Sequence, residues 1–312
     1  MRDRGPRFDA PVADGGYAWW YVDALSDDGR HGLVLIAFVG SVFSPYYARA
    51  RARGRGDPLR HCAMNVALYG SDGKRWTMTE RGQAHVRRTR ETFSVGPSSL
   101  AWDGASLTAT IDEVALPWPS RVRGTVRLTA GALPRHVVAL DGAGAHRWQP
   151  LAPLARVDVR FTQPDLAWSG SAYCDANDGD APLADAFSGW HWSRANSPEG
   201  VSVLYDVERR GADALSVALH VDRAGNVREF APPPVVPLPS TGWRVARRAR
   251  SEAGHAPTVV RTLEDAPFYA RSLVRLQLSG APVVAIHESL SLDRFRSPWV
   301  QLMLPFRMPR RA

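Results

Sequence analysis

An all-β chain, divided into two similar barrels or sandwiches with few short helices, is what this sequence predicts. Three observations lead there. Short runs rich in β-branched and aromatic residues recur along the whole length. No stretch carries three turns of amphipathic helix. Gly 26 and Pro 24 in 312 residues also place a turn former at about every sixth position, which suits short strands better than long helices.

In chain order, strands are expected at residues 19–24, 33–43, 63–69 and 75–80, each bounded by Gly, Asp or Ser. Residues 107–114 and 122–129 continue the series, and the second alternates apolar and polar positions (Val122, Val126 and Leu128 against Arg127) imperfectly. Further strands are expected at 157–161, 201–208, 215–221, 259–263, 270–278 and 283–292. Residues 265–274 also carry a pattern for one short helix. A weak repeat bears on domain count. Gly16-Tyr-Ala-Trp19 leads through a polar turn to Gly32-Leu-Val-Leu-Ile, and Gly189-Trp-His-Trp192 leads likewise to Gly200-Val-Ser-Val-Leu. With the turn-rich Asn177-Asp-Gly-Asp-Ala-Pro182 as a seam, domains of 1–184 and 185–312 are expected. A barrel of about eight strands can enclose one elongated apolar ligand.

Composition narrows the class. With 45% hydrophobic and 22% charged residues the chain is an ordinary globular one, neither disordered, collagen-like nor coiled coil. Its longest uncharged apolar stretch, residues 32–42, is far shorter than the roughly 20 residues of a membrane-spanning helix. The amino terminus is basic without an apolar segment behind it, so no signal peptide is expected. Two cysteines without paired spacing, Cys62 and Cys174, fit a reduced cytoplasmic compartment. The net charge is +8, and Lys74 is the only lysine among 39 cations. Solvated arginines explain this simply; attraction to an anionic lipid surface is the sharper reading. No helix-turn-helix, RNP-like or zinc-finger pattern suggests nucleic acid as a partner. Residues 48–58 and 244–250 read as basic surface loops. Residues 296–307 read as a last barrel strand or, alternatively, as an interfacial segment whose Trp299 and Phe306 enter lipid headgroups.

The usual catalytic patterns are missing. There is no Gly-Lys-Ser/Thr loop, no Gly-x-Gly-x-x-Gly, no Gly-x-Ser-x-Gly, and no His or Cys spacing that asks for a metal. Nothing calls for a nucleotide or flavin cofactor either. What remains is a polar-aromatic group in the middle third. His146-Arg-Trp148 and Tyr173-Cys-Asp175 each place two functional side chains two residues apart, on one face of an extended chain, with Trp168, Trp190 and Trp192 nearby. The bland account is strand-core aromatics with Asp175 capping a turn into Asn177-Asp-Gly.

Several long segments carry a resemblance. Gly15-Gly-Tyr-Ala-Trp-Trp-Tyr-Val-Asp23, Ile36-Ala-Phe-Val-Gly-Ser-Val-Phe-Ser-Pro-Tyr-Tyr47, His61-Cys-Ala-Met-Asn-Val-Ala-Leu-Tyr69, Trp76-Thr-Met-Thr-Glu-Arg-Gly82 and Gly170-Ser-Ala-Tyr-Cys-Asp-Ala-Asn177 resemble the bacterial acyclic carotenoid 1,2-hydratases, or hydroxyneurosporene synthases. That resemblance covers essentially the whole chain. It implies a two-domain lipocalin-like fold and a cofactor-independent hydro-lyase that adds water to the terminal double bond of lycopene- or neurosporene-type carotenoids. The related superfamily also contains pericyclases, so fold does not decide chemistry. The family's His-x-Trp and Tyr-x-Asp pairs fall on His146, Trp148, Tyr173 and Asp175. From these follows an expected mechanism. Asp175, neutral in a dry pocket, protonates carbon 2; Trp148 and Tyr173 face the tertiary cation at carbon 1; His146 orients water and accepts its proton. An insoluble substrate implies peripheral contact with an anionic membrane, on the cytoplasmic face of the inner membrane. A non-catalytic carotenoid or lipid carrier and a pericyclase or isomerase on another polyene are the competing readings.

Overall fold

The β-branched and aromatic runs do form strands, and the strands are longer than their apolar centres. The computed structural model describes residues 4–70 and 73–311, so the first three residues of the basic amino terminus lie outside the described residues. Two units are present, one reaching to Leu183 and including the residues from Leu302 onward, the other Ala184–Gln301.

Unit 1 contains β1 (Tyr17–Ser26), β2 (Gly32–Val39), β3 (Cys62–Gly70), β4 (Gly73–Arg81), β5 (Val86–Arg88), β6 (Thr92–Val95) and β7 (Ser98–Trp102). After them come β8 (Ser106–Ala115), β9 (Ser120–Ala132), β10 (Val138–Ala139), β11 (His146–Gln163) and β12 (Asp165–Gly179). They make one sheet in the order β4-β3-β2-β1-β12-β11-β9-β8-β7-β6-β5, with β10 on β11 and Arg310–Arg311 running parallel to β4. The sheet curls. Arg81 on β4 reaches Glu113 on β8 through a buried two-point ion pair of 2.8 and 3.0 Å, and Ser98 donates to the same carboxylate at 2.7 Å. Inside the curl lies a core of Trp20, Val22, Leu35, Met64, Ile111 and Val126 among others.

The two halves of this sheet differ in exposure. On β9, Val122, Val126 and Leu128 are buried while the intervening arginines are exposed, the alternation of a sheet with one wet face. On β1, β2 and β3 nearly every residue is buried, so both faces are covered.

Unit 2 contains β13 (Phe187–Asn196), β14 (Gly200–Arg209), β15 (Leu215–Asp222), β16 (Val227–Glu229), β17 (Val235–Leu238), β18 (Arg247–Arg250), β19 (Thr258–Asp265), β20 (Tyr269–Leu278) and β21 (Ala281–Ser291). Its main sheet runs β16-β15-β14-β13-β21-β20-β19, and β17 pairs with β18. Each unit opens on the hairpin that the repeated aromatic motif marks, β1–β2 and β13–β14. In each, the first strand also pairs with a later one, β1 with β12 and β13 with β21.

Several local expectations are overturned. Residues 40–43 leave the strand because β2 ends at Val39 and Gly40 takes a left-handed φ of 66°. The basic stretch from residue 48 begins inside helix α1 (Pro45–Arg51), capped by Ser44 Oγ, and Tyr47 of that helix donates to Gly16 O at 2.7 Å. Arg247–Arg250 is a strand, not a loop, since Arg250 is held by Asp206. No helix forms over 265–274; those residues end β19 and begin β20. Residues 296–307 are not a barrel strand: Leu292–Arg296, Pro298–Met303 and Leu304–Phe306 are short helical turns.

Candidate active site

Alternation along β1, β11 and β12 decides which side chains meet. In β12, Ala172 and Cys174 point into the core, so Tyr173, Asp175 and Asn177 project from the opposite face. Register completes the group. Trp148 is the partner of Asn177, His146 of Gly179, Tyr21 of Asp175 and Asp23 of Tyr173. The site therefore stands on the non-core face of unit 1, where the sheet is covered on both sides. Asn177 is a strand residue, so Asp175 does not cap a turn there.

Asp175 is the centre of a polar knot. Trp148 Nε1 donates to its Oδ2 at 2.8 Å, Tyr173 Oη donates to the same oxygen at 3.0 Å, and Asn177 Nδ2 donates to Oδ1 at 3.1 Å. Trp148 is 1% exposed, Tyr173 0% and Asp175 4%. Burial and the neighbouring Asp175 carboxylate push the Tyr173 phenol well above its ordinary range, so it acts as a neutral donor. Two of the four expected residues, Trp148 and Tyr173, are thus bonded directly to a third, Asp175.

His146 stands apart. Its Nδ1 pairs with Tyr17 Oη at 2.8 Å, and the rings of Tyr17 and His146 stack at 5.7 Å. Burial lowers its pKa, which keeps the imidazole neutral. By register it lies four residues along the strands from Asp175, about 13 Å at 3.3 Å per residue. Gly179 makes the His146–Tyr17 pair possible, because a Cβ there would come within 2.6 Å of both His146 Nδ1 and the Tyr17 ring.

Four neighbours went unnoticed in the sequence. Tyr17, Tyr21, Asp23 and Asn177 share this face, and Tyr21 Oη donates to Asp23 Oδ2 at 3.4 Å. The signal was available: Tyr17-x-Trp19-x-Tyr21-x-Asp23 has the same two-residue spacing as the pairs that were recognised. Trp19, Phe38 and Phe43 extend the face as an aromatic wall, with centroids 6.0 to 6.5 Å apart. Among the described residues no group of three or more His, Cys, Asp or Glu is arranged to hold a metal.

Comparison with known proteins now decides the family. The model of the carotenoid hydratase CrtC matches residues 35–312. This chain belongs to the CrtC family. Its CrtC relatives include the acyclic carotenoid 1,2-hydratases of Thiocapsa roseopersicina, 58% identical over 98% of this chain and 76% of the relative, and of Rubrivivax gelatinosus, 53% identical over the same shares. That of Rhodobacter capsulatus is 42% identical over 89% of this chain and 98% of its own length. Solved structures support the fold class. An AttH protein of Nitrosomonas europaea superposes with TM-score 0.59 at 16% identity over 89% of this chain and 93% of its own. CghA bound to Sch210972 gives 0.56 at 13% over 93% and 95%. Both bear out the lipocalin-like, all-β expectation for a CrtC chain; at such identity they speak to fold alone.

Proposed function

We propose that this protein is a cofactor-independent carotenoid 1,2-hydratase, adding water to the terminal double bond of acyclic carotenoids such as lycopene and neurosporene to give 1-hydroxy carotenoids. The observation that carries this reading is the Asp175 carboxyl, buried on an aromatic face and gripped by Trp148, Tyr173 and Asn177 in a CrtC chain. An isolated trisubstituted alkene is a very weak base, so its protonation needs an acid that is fixed in place and shielded from water. Oδ2 already accepts two hydrogen bonds, which leaves Oδ1 to carry the transferable proton. It goes to carbon 2, and positive charge develops at carbon 1. The faces of Trp148 and Tyr173 stabilise that charge by about 0.5–2 kcal/mol per ring when desolvated. Because an enzyme must supply roughly 8 kcal/mol or more, positioning and exclusion of other nucleophiles carry most of the acceleration. The neutral His146, paired with Tyr17, orients water at the polar end of the same face. Trp19, Phe38 and Phe43 would hold the polyene.

The insolubility of such a substrate favours peripheral contact of the protein with a membrane surface. In unit 1, Leu302 and Phe306 are 73% and 72% exposed beside Arg307, the chemistry of an interfacial contact with anionic lipid.

Purified protein incubated with lycopene in vesicles, without added cofactor, tests the reading. Product heavier by one water, labelled from heavy-oxygen water, is expected, and Asp175→Asn should lower its formation by 10²-fold or more, the size of a general-acid contribution. Bound pigment of unchanged mass would identify a carrier or an isomerase instead.

A further inference from the structure

We propose that Asp23 is a second catalytic carboxylate of this site, the group that takes the proton from the water captured at carbon 1. The inference rests on the hydratase reading above and adds a residue to it. Asp23 is fully buried on β1, on the same face as Tyr173 and Asp175. Its partner on β2 is the apolar Val34. Tyr21 Oη donates to Asp23 Oδ2 at 3.4 Å, which holds the carboxyl on the face it shares with Tyr173 and Asp175.

Geometry supplies one. Asp23 lies directly across from Tyr173 and diagonally from Asp175, a backbone separation of about 7–8 Å in an antiparallel pair. Carbons 1 and 2 are bonded neighbours, so acid and base must flank one short bond with space for a single water. In inverting glycosidases, whose two carboxyl groups flank a bond with a water between them, those groups stand about 6.5–9.5 Å apart, and diagonal positions on one strand face are near enough for such an arrangement. His146, about 13 Å along the strand from Asp175, is placed to organise water but not to flank that bond with the acid.

The step balances. The O–H bond of Asp175 breaks as the C–H bond forms at carbon 2. Water forms the C–O bond at carbon 1, and the oxonium gives its proton to Asp23. Exchange with water then removes the proton from Asp23 and returns one to Asp175 Oδ1, while Tyr173 keeps its hydrogen bond to Oδ2. Alkene and water become alcohol, and both carboxyls return to their starting states.

Turnover of lycopene in heavy water separates the roles. Asp23→Asn should lower hydration 100-fold or more with KM little changed, while recovered lycopene gains deuterium at carbon 2, because protonation survives and water capture does not. Asp175→Asn should lose both hydration and exchange. His146→Gln should show no exchange-without-hydration pattern. Asp23→Ser is read in the same way should Asp23→Asn fail to fold. The proposal is overturned if Asp23→Asn hydrates within threefold of the wild type. It is equally overturned if a folded Asp23→Asn that binds lycopene loses exchange together with hydration, or if His146→Gln alone shows exchange without hydration. A wild-type protein that neither hydrates nor exchanges would instead sink the hydratase reading itself.

Discussion

At the level of single residues, Trp148 does more than present a ring. Its indole N–H is one of two donors on Asp175 Oδ2, so replacing it with phenylalanine removes a hydrogen bond while keeping an aromatic face. Hydrogen bonds to a charged partner are worth about 1.5–3 kcal/mol. Trp148→Phe should therefore slow hydration by roughly ten- to a hundredfold, less than Asp175→Asn, in steady-state assays with lycopene. Equal losses would mean that the indole takes a direct part in proton transfer. The two-residue spacing made Trp148, Tyr173 and Asp175 legible in the sequence, because extended backbone puts such pairs on one face whatever the surrounding fold. Asp23 and Tyr17 were missed although they obey the same rule, since their segment reads first as an apolar core strand. Asn177 was missed because Asn-Asp-Gly looks like a turn; β12 runs through it because both flanking strands, β1 and β11, pair with it.

At the level of strands, Gly179 is the hinge of the His146 end of the site. A methyl group there would meet His146 Nδ1 and the Tyr17 ring at 2.6 Å, and overpacking of this kind costs typically 1–3 kcal/mol. Gly179→Ala should break the Tyr17–His146 pair while leaving the Asp175 knot, which begins two strand positions away at Asn177, in place. Folding should persist and hydration should fall; a variant with unaltered rate would show that the His146 end is dispensable. Strand centres were well read in the sequence because β-branched and aromatic runs mark them. Ends and edges were not. The short strands β5 to β7 and the polar start of β12 carry little apolar signal, and they form because neighbouring strands offer backbone partners. The C-terminal segment read as a strand for the opposite reason: its apolar residues suggested burial, whereas Leu302 and Phe306 are exposed on short helical turns.

At the level of the whole molecule, two properties of the chain have measurable consequences. Unit 2 buries His191 and His287, with rings stacked at 6.1 Å and bonded through Ser289, and burial lowers both to about 3. Below the ordinary histidine value of 6.5 the unfolded chain binds protons that the folded chain refuses. Stability therefore falls as pH drops from 6.5 toward 3, by about 2 kcal/mol per histidine at pH 5. Denaturant unfolding followed between pH 7 and 5 should show this slope, and His287→Gln should flatten it; a flat wild-type profile would place these histidines in contact with protons when folded. The second property is surface chemistry. With a net charge of +8 and exposed Leu302 and Phe306, the protein should float with anionic vesicles at low salt, and less so after Leu302→Ser with Phe306→Ser. Charge was legible from composition alone, whereas the surface that uses it depends on which side chains the fold leaves exposed.

The grip on Asp175 also has a stereochemical meaning. A carboxyl whose Oδ2 is tied to an indole and a phenol cannot swing its other oxygen freely around the substrate. The incoming hydrogen must then arrive from one side of the alkene plane, distinguishing two faces that are equally reactive in solution. Carbon 2 bears two hydrogens in the alcohol and shows no handedness, so ordinary product analysis would never reveal this. Only when one of the two is isotopically marked does the enantiotopic choice made by the protein become visible in the product.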